Sequence, residues 1–179
     1  MNLKKITELD SDFSEAKFLS YIANVFVQIH TAIMTKQLEK VKHFMNQDMY
    51  MYFKQKIDDL NQKKLTQMYD ELNVKETHLL NENIVDGMMQ IKVLIVARYV
   101  DYRMDENGKV VDGISDRRIM KNYYLTFQKP ILHKDAKEIH KCPNCGASIN
   151  INGNGRCEYC HSIYNLSNES WILISMVTE

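Results

Sequence analysis

The succession of hydrophobic periods along the chain predicts an α+β fold, with helices first and then an antiparallel sheet in meander order that carries the helices on one face. Before residue 62 the apolar residues recur at three- and four-residue spacing. After residue 72 the period becomes two, and Asp86-Gly87 and Asn107-Gly108 mark hairpin turns between successive runs. The third observation is an interruption: all four cysteines fall between the third strand-like run and a fourth at 171–178.

Composition bounds what such a fold can be. With 179 residues, 45% hydrophobic and 26% charged, the chain can bury roughly two-thirds of the surface its unfolded form exposes, enough for one principal domain and a small appendage. Lys plus Arg equals Asp plus Glu at 23 each, which argues against a nucleic-acid partner and against attraction to an anionic membrane surface. No run approaches the ~18 apolar residues that span a bilayer, and the lysines of residues 1–12 precede no apolar core. A soluble chain of the cytoplasm is expected, its range including the inner face of a membrane. Any membrane association should be weak or run through another segment.

Asp12 followed by Glu15 resembles a capping box, so a first helix is expected from there to about Met34, with Leu19, Ile22, Phe26, Ile29 and Ile33 as its stripe. Phe18, Tyr21 and Val25 widen that stripe. His30 lies inside it with no ligand type one turn away, which favours a structural histidine over a metal ligand. A short helix at 36–44 should follow, then a third from an Asn46 cap to about Gln62, with Met49, Phe53, Ile57 and Leu60 inward. Tyr50, Tyr52, Lys54 and Lys56 could suggest base stacking, but Asp48, Asp58 and Asp59 on the same helix cancel their charge.

Alternation from Leu72 to Leu80 gives a first strand ending at the Asp86-Gly87 turn. Residues 90–103 and 119–128 give the central hairpin. The run 93–97 reads as a central strand with little exposure to water. In the next strand Ile119, Tyr123, Leu125 and Phe127 share a packed face, while Asn122, Thr126 and Gln128 share a wetter one.

The interruption carries metal chemistry. Cys142 and Cys145 form one Cys-x-x-Cys and Cys157 and Cys160 another, with eleven residues between them. Two such turns facing each other supply four thiolates in the closed tetrahedral geometry of one structural zinc ion, and Gly146, Gly153 and Gly155 suit a minimal ribbon. Two disulfides, a redox dithiol and an iron–sulfur cluster are the rival uses. No secretion signal supports the first, and a redox motif is expected singly at a helix start. The division expected is a main domain from 12–129 plus 170–179, with a zinc ribbon inserted at 130–169.

The helix at 13–35, the helix beginning near Asn46, the strand at Val74, the run 93–100 with Asp101, and the segment Asn122-Tyr123-Tyr124-Leu125-Thr126-Phe127-Gln128-Lys129 resemble the Tim44-like domain, in its bacterial form with a ribbon in the last hairpin. The resemblance implies a nuclear-transport-factor-two-like (cystatin-like) cone, three helices over a curved sheet of about four strands, enclosing an apolar pocket. Its functional implication is a binding or adaptor module near a membrane, holding a protein segment or a lipid-like ligand. Counting by twos places Val93, Ile95, Ala97, Leu125 and Phe127 on the pocket walls, with Tyr99, Asp101, Lys121 and Tyr123 on the same side and His78 joining from the first strand. The alternative is an isomerase- or dehydratase-type enzyme using Asp101 with Tyr99 or Tyr123, although Asp101 and Lys121 more simply form an ion pair. The wetter face, with Arg98, Asn122, Tyr124 and Thr126, offers a surface for a homodimer.

Overall fold

The computed structural model describes residues 4–131, 140–141, 148–149, 159 and 171–179. Four helical segments precede the sheet. They are α1 (Lys4–Leu9), α2 (Glu15–Met34), a 3-10 helix (Leu38–Phe44) and α3 (Gln47–Gln62). The strands are β1 (Thr66–Val85), β2 (Met88–Met104), β3 (Val110–Pro130), the two-residue β4 (His140–Lys141) and β5 (Ser148–Ile149), and β6 (Ile172–Thr178).

The helix boundaries follow from local chemistry, and two differ from expectation. Asp12 does not cap α2. Its own N–H is bound by the Asp10 carboxylate at 3.2 Å, and the helix starts after Ser14, whose hydroxyl accepts from the Lys17 N–H. The segment from Lys36 is not an α-helix because Lys36 sits at φ 57, closing α2 in a Schellman motif with Gln37 N–H on Ala32 O at 2.9 Å. The next seven residues wind as 3-10 instead. The Asn46 cap of α3 is as expected, its side chain accepting from the Met49 N–H at 3.0 Å.

No helix was expected before residue 12, yet α1 packs on the core. Ile6 is fully buried, and the Glu82 carboxylate takes the N–H groups of Lys5 and Ile6 at 3.1 Å each. A carboxylate there answers both the orphan donors and the positive end of the helix dipole. Lys129 Nζ bonds Asp10 at 2.7 Å and ties the α1–α2 turn to the end of β3.

The main sheet is antiparallel, in the order β1-β2-β3-β6. Its helix-facing side presents Met89, Ile91, Val93, Ile95, Ala97 and Tyr99 from β2, with Tyr123, Leu125 and Phe127 from β3 and Leu173 from β6, all buried. Leu94 and Val96 remain partly exposed. The expectation of a strand shielded on both faces is therefore corrected: only one side of β2 is covered among the described residues. β1 is longer than expected at its start and β3 by nine residues at its start, where residues 110–118 are polar or exposed and carry no apolar alternation.

One register slip on each side of β2 lines up across the sheet. On β1 it falls between Asp70 and Asn73, with Glu71 at φ 55, and on β3 between Ile114 and Ile119, both opposite Tyr99 and Val100 of β2. Extra residues on both neighbours at one level bend a sheet, and an Arg118–Glu71 ion pair spans β2 at that level. Beyond the bend, Gly113 at φ +81 lies so close to Asp101 that an added Cβ would stand 2.4 Å from its carbonyl oxygen.

Candidate functional site

The bend carries the first residues of β1 and the last residues of β2 toward the ends of α2 and α3, and a polar cluster forms where the apolar core stops. His30 of α2 is at its centre. Its ring lies 4.8 Å from Tyr69, 5.4 Å from Tyr123 and 6.5 Å from Tyr99, centroid to centroid. Its Nδ1 faces the Phe26 carbonyl at 2.8 Å. A carbonyl only accepts, so the neutral ring carries its proton on Nδ1 and leaves Nε2 a lone pair. Burial pushes the imidazole down to about 4, against the Phe26 carbonyl, which favours the charged form. The hydroxyls of Tyr99 and Tyr123 hydrogen-bond to each other. Burial raises Tyr123 to about 12 and Tyr99 and Tyr69 further, so all three stay neutral phenols at neutral pH.

Asp101 forms the outer edge of this cluster. Its Oδ2 accepts from Lys121 Nζ at 2.9 Å and its Oδ1 from Gln67 Nε2 at 2.8 Å. Buried Gln67 also accepts from Arg103 Nε at 3.0 Å, and Arg103 continues to Asp112 at 3.0 Å. Lys56 of α3 reaches the Tyr69 hydroxyl at 3.2 Å. Outside lies a cleft of about 220 Å³ lined by Asp101, Tyr102, Arg103, Asp112, Gly113, Ile114 and Ile119.

The eight residues expected around a pocket fall into two sets. Val93, Ile95, Ala97, Leu125 and Phe127 are fully buried in the core, where the Phe18 ring meets Phe127 edge-on at 6.1 Å. Tyr99, Tyr123 and Asp101 join the polar cluster. Asp101 and Lys121 form the ion pair. His78 does not join them: it is register partner to Leu94, half exposed, and bonds Glu76 at 2.8 Å, because the slips in β1 turn it to the opposite face. Sequence reasoning missed Gln67, Tyr69 and the convergence of His30 on Tyr99 and Tyr123. A polar residue inside an apolar helical stripe was the one available signal.

Cys142, Cys145, Cys157 and Cys160 lie outside the described residues. Around the first pair the described backbone is β4 and β5, which pair antiparallel as His140 with Ile149 and Lys141 with Ser148. Among the described residues no helix is long and apolar enough to cross a membrane.

Helices on one side of a four-stranded antiparallel meander, with a polar cluster at the core's end, define an α+β fold. A family model described as Tim44-like domain matches residues 1–138, and the chain belongs to that family. Tim44-like domains are in general binding and adaptor modules that mediate protein interactions. No curated protein matches the chain.

Proposed function

We propose that this protein is a non-catalytic adaptor that holds an apolar segment of a partner protein, or a lipid-like tail, against its α+β body, with a zinc ribbon as a rigid accessory. The observation that carries the reading is the engagement of Asp101. Both carboxylate oxygens are engaged, by Lys121 and Gln67, in a cluster whose imidazole and phenols stay neutral. A general base has to be free to take a proton from its substrate, and this carboxylate is already held by the Lys121 ammonium and the Gln67 amide. Neutral phenols and an imidazole lone pair suit the orientation of a guest's polar end, beside walls of Val93, Ile95, Ala97, Leu125 and Phe127. Those walls are covered by α2, so a guest reaches them as α2 side chains give way.

The ribbon reading rests on ligand chemistry. Four thiolates at this spacing fit zinc, and the β4–β5 pairing brackets the first Cys-x-x-Cys, where a knuckle needs the chain to reverse. Such a closed site supplies folding energy and no open coordination position. The protein's place is the cytoplasm, including the inner face of a membrane.

Affinity capture from cells tests the reading when repeated with Asp101→Asn and with Cys142→Ser. The same partner should be retained by Asp101→Asn within several-fold. A reaction of the purified chain that Asp101→Asn abolishes while the fold persists would replace the adaptor with an enzyme using Asp101 and Tyr99 or Tyr123.

A further inference from the structure

The sheet face opposite the helices is uncovered among the described residues. Register partners on it run Leu94 with Tyr124, Val96 with Asn122 and Arg98 with Met120, and Val177 of β6 lies beside Tyr124. Met120 is 61% and Val177 56% exposed, and Leu94 and Val96 are only partly buried. Arg98 has a buried Nε with no hydrogen-bond acceptor among the described residues, and the Asn122 amide on the next diagonal is exposed. The charges are balanced: Glu76 meets His78, Lys92 lies over the Tyr124 ring, and Glu179 takes the Tyr124 hydroxyl.

We propose that this face binds a second copy of the chain, sheet against sheet, about a two-fold axis that crosses the Arg98–Asn122 diagonal at its midpoint. A donor without an acceptor and an exposed amide oxygen on one diagonal suit an isologous contact, because each meets the other on the partner. The axis lies in the plane between the sheets. Strand spacings of about 4.8 Å and residue pairs about 6.8 Å apart place Met120 within about 2 Å of that axis, so it packs against the partner's Met120. Arg98 swings up to the partner's Asn122 and leaves its unmatched position on the sheet. A protein of other sequence would have to match the same donor, acceptor and central methionine separately; a second copy does so by symmetry. The footprint, about 25 Å along β2 by about 19 Å across four strands, is about 475 Å² per copy, below the range of stable specific interfaces, which points to a weak, transient dimer.

Sedimentation of the full chain from low to hundreds of micromolar should show a reversible monomer–dimer equilibrium. Met120→Glu should leave it monomeric throughout with unchanged circular dichroism. Asn122→Asp should tighten the dimer several-fold by placing a carboxylate opposite each guanidinium. A photo-crosslinking residue at position 120 should join two copies at that position. A chain that stays monomeric, a dimer indifferent to Met120→Glu, or crosslinks running only to residues 132–170 of the same chain would each overturn the proposal.

Discussion

His30 shows how one buried side chain ties stability to pH. Its folded pKa, about 4, lies below the ordinary 6.5, so the unfolded chain takes the proton first. The stability that depends on a neutral ring is complete above about pH 6.5 and is lost progressively as the pH falls toward 4. A displacement of this size is worth about 3 kcal/mol once the pH is below both values. Urea unfolding at several pH values should therefore show a steeper loss below pH 6.5 in the native chain than in His30→Leu, whatever the offset between them at pH 7. Equal slopes would mean that the ring reaches water or a partner carboxylate. The cluster around His30 was not legible in the sequence, because Tyr69, Tyr99 and Tyr123 reach it from three strands and only the register slips bring Tyr69 inward.

At the scale of elements, local signals were readable where one residue determines one bond, as at Asn46. They failed where the deciding contact was distant. Helix α1 has a single fully buried side chain, Ile6, and its cap comes from Glu82 on β1. Glu82→Ala should cost about 1 kcal/mol and speed amide exchange across α1 while leaving β2 protected; uniform protection would show that Ile6 alone holds the helix. Residues 110–118 were missed because a strand that covers no core shows no alternation. The helix ends make a separate prediction. Lys36 at φ 57 and Lys64 at φ 55 occupy the left-handed position that closes α2 and α3. Lys36→Gly and Lys64→Gly should each stabilise by up to about 1 kcal/mol, seen as a higher midpoint in thermal melts. The Lys64–Glu106 pair is well exposed and offsets little of that gain.

For the molecule as a whole, the order of helices followed by an antiparallel meander was legible because hydrophobic period and turn residues are local properties. The bend, the docking of α1 and the direction of His78 were not, since each depends on pairing between distant residues. Metal analysis of protein purified without added zinc should give close to one zinc per chain, held by Cys142, Cys145, Cys157 and Cys160. Cys142→Ser should lose it while keeping near-native helical circular dichroism, because a structural zinc supplies on the order of 10 kcal/mol to segments without a core of their own, and α2, α3 and the four-stranded sheet share a core. Iron, disulfides by mass, or collapse of the helical signal would contradict that picture.

The rung that joins Gln128 to Ile172 has a topological meaning. The chain leaves the sheet at the end of β3 and re-enters one strand away, so the body experiences everything between as a loop whose two ends are already held together. Such a junction is a splice point, where a cassette can be lengthened, exchanged or removed without moving the strands that flank it. Closing a loop of about forty residues costs about 2 kcal/mol more than closing one of about four. A chain in which residues 132–170 are replaced by a short turn should therefore keep Trp171 and Leu173 seated and melt higher, and the excised cassette should be transplantable between the paired strands of an unrelated hairpin.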